Sequence, residues 1–216
     1  GEILGMSGLV GAGRTELMRA IYGADKKQSG TIILNGKEVE IKSPKQALAA
    51  GIGLIPEDRK VQGCFLNMTI EWNISISNIK KLTTSKLIDK KKIARQAEEY
   101  REKLNIKTPS LKQKVGNLSG GNQQKVVLAK VMATNTDILI FDEPTRGIDI
   151  GARHEIYQLM TELVEAGKSI IMISSDMEEL LGMSDRIIVL SEGKISGEVF
   201  KQEFSQEKVM ALASNE

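Results

Sequence analysis

Short apolar runs alternate with stretches of helical periodicity along most of this chain. Glu2 to Met6 reads as a buried strand that runs into Gly8-Leu9-Val10-Gly11-Ala12-Gly13-Arg14-Thr15, and a helix through Leu17, Ala20 and Ile21 follows. Thr31 to Glu40 is a predicted hairpin, because Asn35-Gly36 between two apolar runs accepts the positive φ angles of a tight turn. Ser43-Pro44 opens a short helix that Gly51 closes, and Ile52 to Ile55 is a strand delivering Pro56-Glu57-Asp58-Arg59 to a loop. Further on, Asp137 to Phe141 is an apolar strand ending in Asp142 and Glu143. The helix Gly151 to Ala166 gathers Ile156, Leu159, Met160, Leu163 and Val164 on one face and stops at Gly167. A strand from Ser169 to Ser174, a short helix from Asp176 to Leu181, a two-strand return over Ile187 to Val199 and a last helix capped by Ser205 complete the pattern.

Strands alternating with helices imply an α/β fold: a mostly parallel sheet between helices, with a small antiparallel part at the Asn35-Gly36 hairpin. From about Val61 to Val115 the character changes to lysine-rich and helical. There Asp89 can cap a helix whose apolar residues Ile93, Ala97, Tyr100 and Leu104 share a face. The expected organisation is one domain, with an α/β core over residues 1–60 and 116–216 and a helical insertion over about 61–115.

Composition narrows the function. Thirty basic against 28 acidic residues leave a net charge of +2, and aromatics make up 4%, which argues against a nucleic-acid surface. The single cysteine, Cys64, fits a reducing compartment. No apolar run approaches the roughly 18 residues needed to cross a bilayer, so a membrane would be served from its cytoplasmic side by a soluble, peripheral module. The sequence opens on Gly1, inside a strand, and is expected to be a fragment of something longer.

Three stretches carry candidate chemistry. Gly8, Gly11 and Gly13 let backbone N–H groups wrap phosphates, and Thr15 offers a hydroxyl for a magnesium ion; Arg14 stands where a lysine would normally serve as a compact charge. Asp142 suits a magnesium ion held through water, and Glu143 a base that orients the attacking water. Leu118-Ser119-Gly120-Gly121-Asn122-Gln123-Gln124-Lys125 opens a helix with a capping hydroxyl and two glycines, which makes an anion site. Each alone also fits an ordinary loop or a solvent-facing strand end.

Together and in this order they make the chain resemble an ATP-binding cassette domain, the P-loop NTPase module of ABC transporters, over essentially its whole length. LSGGNQQK, DEPTRGIDIGA and IPEDRK resemble most the second, C-terminal cassette of the tandem ATPase subunits of bacterial ribose, galactose and xylose importers. The resemblance implies ATP and Mg2+ as ligands, with Gly8, Gly11, Ala12, Gly13, Arg14, Thr15 and Glu16 on ATP and Thr15 and Asp142 on the metal. Glu143 would be the catalytic glutamate. It also implies that Ser119, Gly120, Gly121, Asn122 and Gln123 contact ATP held by a partner cassette, and that Gly147-Ile148-Asp149 form the D-loop after Glu143.

Departures from the family pattern point to a degenerate phosphate loop. Arg14 replaces the lysine, Glu16 a phosphate-contacting hydroxyl, Glu57 the metal-contacting glutamine and Ser175 the histidine of the γ-phosphate. The aromatic residue that stacks on adenine would lie upstream of Glu2. His154, the sole histidine, reads as a surface residue. The implied partners are the N-terminal cassette of the same subunit, a membrane permease docking near Cys64 to Asn73, and an extracellular or periplasmic sugar-binding protein. A self-sufficient homodimeric ATPase and a non-catalytic nucleotide sensor are the alternatives.

Overall fold

The computed structural model describes residues 1–84 and 87–214, which divide into two compact units. The first comprises residues 1–54, 137–143 and 161–214, and the second residues 55–84, 87–136 and 144–160.

The first unit is built on a six-stranded sheet. Its strands are β1 (Ile3–Gly8), β4 (Ile52–Ile55), β7 (Ile138–Asp142), β8 (Ser169–Ile173), β9 (Arg186–Ser191) and β10 (Lys194–Phe200), in the spatial order β10-β9-β1-β8-β7-β4. β1 runs parallel to β8 and β9, β7 runs parallel to β8, and the return strand β10 is antiparallel to β9. The predicted hairpin forms as β2 (Ile32–Leu34) and β3 (Lys37–Val39), with Asn35 at φ 52° and Gly36 at φ 74°. Ser43 caps the short helix α2 (Pro44–Ala49) as expected from its proline.

Alternation along β1 separates two packed faces. Met6 clusters with Met18 of α1 (Arg14–Ile21), Ala47 of α2, Ile140, Ile173 and Leu190. Gly5 faces the other way, against Leu180 of α7 (Met177–Met183), where a β-carbon would stand 3.1 Å from the Leu180 side chain. The sheet is therefore covered on both faces, which is why Leu139, Ile140 and Phe141 form a continuous apolar run. Ser205 opens α8 (Gln206–Ser214), accepting from the Lys208 N–H at 3.1 Å.

The second unit is largely helical. Thr69 caps α3 (Ile70–Ser75), whose Ile70 and Ile74 are fully buried. Asp89 caps α4 (Lys90–Lys103), and of its predicted face Ile93, Ala97 and Leu104 are buried while Tyr100 is half-buried. A two-stranded ladder, β5 (Thr83–Thr84) and β6 (Leu87–Ile88), precedes it. α5 (Gly120–Met132) is buried along most of its length, and α6 (Ile150–Glu165) begins in this unit with His154 exposed. Among the described residues, no helix is long and apolar enough to cross a membrane.

Candidate functional site

In the first unit the strand register gathers the candidate residues at one end of the sheet. Met6 of β1 pairs with Ile173 of β8, and Ile173 pairs with Asp142 of β7. The segments that follow Gly8, Asp142 and Ile173 therefore leave the same end of the sheet, where open α/β sheets bind ligands.

Gly8 is required by space, since a β-carbon there would stand 2.4 Å from the Leu190 carbonyl oxygen. Gly11 and Gly13 are required by conformation, at φ 85° and 93°. Buried Ala12 ties the loop down: its N–H donates to the Leu9 carbonyl at 3.0 Å and its carbonyl accepts from the Gly193 N–H at 3.2 Å. No side chain caps α1, so the loop leaves the N–H groups of that first turn for an anion. Glu16 is exposed on the same turn.

Arg14 turns back toward the sheet. Its Nη1 donates to the Ser174 carbonyl at 3.0 Å, and its Nη2 lies 4.0 Å from Oε1 of Glu143. Oε2 of Glu143 accepts from the Ser175 hydroxyl at 2.9 Å, so both carboxylate oxygens face a partner. Glu143 holds a left-handed φ of 49°, with its N–H bonded to the Ile173 carbonyl at 2.9 Å. A non-glycine residue in that region is strained, and such strain concentrates at functional sites.

Beside this cluster the Thr15 hydroxyl donates to Oδ1 of Asp142 at 3.1 Å. Asp142 is 3% exposed, and burial pushes its carboxyl up to about 6; the Thr15 bond opposes the rise and the charge of Glu143 adds to it. A cavity of about 170 Å³ opens against Gly8, Leu9, Arg14, Ser175, Met177 and Met210.

The remaining candidates lie in the second unit. Ser119 caps α5, accepting from the Asn122 N–H at 3.5 Å and from the Asn122 side-chain amide at 3.0 Å. Close packing demands glycine at 121, where a β-carbon would stand 2.6 Å from Cβ of Ala152, while one at Gly120 would stand 2.8 Å from Nη2 at the end of the Arg59 side chain. Asn122 Oδ1 accepts from the Lys107 N–H at 2.8 Å. Gln123 points inward, donating to the carbonyls of Val115 and Leu118, so its side chain braces the approach to α5. Asp149 accepts from the Ala152 N–H at 3.0 Å at the start of α6, and Glu57 is ion-paired with Arg146.

Two features escaped the sequence reading. Buried Lys125 donates to the Asn105 carbonyl at 3.1 Å and pairs with Glu155 at 2.7 Å, and Lys107 reaches the same carboxylate at 3.5 Å. Arg59 donates to the carbonyls of Arg146 and Gly147 at 3.0 and 3.2 Å. A lysine followed by two buried valines signals a hidden partner, but nothing local names Glu155.

The fold and the first unit's site define a class, an α/β domain whose glycine-rich loop joins a sheet strand to a helix. A sequence profile of the ABC transporter family matches residues 1–146, and the chain belongs to that family. It is 53% identical over 214 residues to the ribose import ATP-binding protein RbsA of Clostridium tetani. It is 52% identical over 215 residues to the xylose import ATP-binding protein XylG of Moorella thermoacetica. Each alignment covers 99% of this chain and 42% of the relative, so the chain spans less than half the length of those proteins. A nucleotide-free ATP-binding cassette from an ABC transporter shares the fold, with a TM-score of 0.81 at 24% identity over 98% of this chain and 87% of that one. A dimeric cassette in a post-hydrolysis state, bound to ADP and Pi, gives a TM-score of 0.77 at 22% identity over 94% of this chain and 87% of that one.

The residues present fit the ligands of such a domain. Glycines and bare helical N–H groups suit a polyphosphate. Thr15 and Asp142 offer hard oxygen donors of the kind Mg2+ takes alongside water and phosphate.

Proposed function

We propose that this chain is an ATP-binding module that energises the import of a monosaccharide, ribose-like in class, through a membrane permease. In this reading it is the second cassette of a longer subunit, its own phosphate loop is degenerate, and its signature completes the ATP site of the partner cassette. The observation that carries the proposal is the engagement of Arg14. A planar fork held by the Ser174 carbonyl and facing Glu143 replaces the free point charge that a terminal phosphate needs.

Thr15 and Asp142 would hold Mg2+, whose role is to neutralise charge on the phosphates. Glu143 would orient the attacking water, but one oxygen accepts from Ser175 and the other faces Arg14. Ser175 is too short to act as the histidine it replaces. Loss of one preorganised donor costs roughly a hundredfold to a thousandfold in rate, so weak or no hydrolysis is expected from this half alone. In the second unit, Ser119 with the N–H groups of Gly120 and Gly121 would grip the partner's γ-phosphate, and Asp149 would sit in the D-loop beside it.

The module would work at the cytoplasmic face of the membrane, with a sugar-binding protein on the far side. Exposed Val61 and Phe65 flank buried Cys64 and support a permease contact there. Asn73 fixes that loop, bonding the N–H and carbonyl of Phe65 at 2.8 and 3.0 Å.

Steady-state ATPase of the isolated chain tests the proposal. Turnover near background with Mg2+-ATP supports it. Robust turnover in ATP-driven homodimers, abolished by Glu143→Gln, would overturn it in favour of a self-sufficient ATPase.

A further inference from the structure

We infer that Arg59 is a positioning residue that sets the D-loop and the first turn of the signature helix, an inference that rests on reading that helix as a phosphate contact for a partner. Asp58 caps a single π-helical turn, Arg59–Gly63, by accepting from the N–H groups of Lys60 and Val61 at 2.9 and 3.1 Å. That fixes the backbone from which the Arg59 side chain reaches the carbonyls of Arg146 and Gly147. Two successive carbonyls taken by one planar fork is an arrangement that an ammonium, with a single nitrogen, does not reproduce.

The contact is returned. The Arg146 side chain pairs with Glu57, so residues 57 and 59 hold residues 146 and 147 through both side chain and backbone. Gly147 sits at φ 66°, and its carbonyl and the Arg59 guanidinium both pack on Gly120, at 3.4 and 2.8 Å from where a β-carbon would be. Residue 120 begins α5, and Asp149, two residues beyond Gly147, begins the cap of α6. A displacement of the segment around Arg59 is therefore passed to the carbonyls of Arg146 and Gly147, where the D-loop begins, and to the signature glycine together. That segment leads directly to exposed Val61 and Phe65, the surface assigned above to the permease.

Two measurements test this. In the full-length subunit, Arg59→Lys and Arg59→Ala should each lower kcat about tenfold or more while KM for ATP stays within about twofold, because the fork rather than the charge does the holding. In the chain itself, hydrogen exchange of Arg59→Lys should rise about tenfold at residues 119–123 and 145–150 while β1, β7 and β8 keep their protection. Wild-type kcat together with unchanged exchange at those residues would overturn the inference. Exchange rising throughout both units would also overturn it, since it would make Arg59 a general stability residue. Turnover insensitive to Ser119 substitution would defeat the functional reading instead, and local exchange would then decide the clasp.

Discussion

The guanidinium of Arg14 and the carboxylate of Glu143 lie 4.0 Å apart, with both side chains only 11% exposed. At that depth the pair is screened little by solvent, and Arg14 is drawn toward the sheet rather than toward the mouth of the loop. A lysine has one nitrogen and cannot hold the Ser174 carbonyl and face Glu143 in the same way. Arg14→Lys is expected to raise the chain's steady-state phosphate release about tenfold, short of full recovery because, on the proposed reading, Ser175 still stands in for a histidine. A rate equal to or below wild type would count against the tether.

Asp142 titrates against folding. Burial raises its carboxyl to about 6 from an ordinary value of 3.8, so between those values the folded chain holds a proton the unfolded chain has released. Stability therefore falls as pH rises through that window, and above about 6 the buried negative charge is a standing cost. Asp142→Asn should stabilise the metal-free chain at pH 7.5 by about 1 to 2 kcal/mol after allowance for screening, with the gain fading toward pH 4. Denaturant melts at the two pH values provide the check.

Glu155 behaves in the opposite sense. Its bond to Lys125 holds its carboxyl below the usual range, so its contribution is present at neutral pH and is lost as pH falls through that lowered value. Lys125 is the more buried partner, at 5% side-chain exposure against 39%. Removing the carboxylate leaves the buried cation with the neutral Asn105 carbonyl and no counter-charge at its side, whereas removing the cation leaves a carboxylate that reaches water and Lys107. Glu155→Gln should accordingly cost about 1 to 2 kcal/mol and Lys125→Met less, as read by urea unfolding at pH 7.5.

Cys64 should be inert. Burial pushes its thiol up to about 11, only partly offset by the nearby charges of Lys130 and Arg59. At pH 8 iodoacetamide should label the folded chain at least about a hundredfold more slowly than the unfolded chain, by mass spectrometry. Comparable rates would show that the loop over Cys64 opens readily.

Elements with a local cause were legible in the sequence. Asn35-Gly36 forms the hairpin because both residues take positive φ, and Ser43, Asp89, Ser119 and Ser205 each cap the helix that follows them. The strand ends that carry Gly8, Asp142 and Glu143 were legible for the same reason, since apolar runs mark where a buried strand stops. What long-range packing decides was not legible. α3 depends on burying Ile70 and Ile74, and its six residues are too few to show a period. Arg14 was visible as a replaced lysine, but its hold on Ser174 spans 160 positions and Arg59's on Arg146 spans 87. Tyr100 lies on the predicted apolar face yet is only half-buried, because spacing assigns a face without fixing its depth.

The central claim is that the signature of this chain matters more to turnover than its own phosphate site does. Steady-state ATPase of the full-length subunit, with Ser119→Arg and Glu143→Gln compared side by side, measures that directly. The expected result is a loss of about a hundredfold for Ser119→Arg and retention of more than about half the rate for Glu143→Gln. The reverse pattern, with Glu143→Gln silencing the subunit and Ser119→Arg sparing it, would contradict the account.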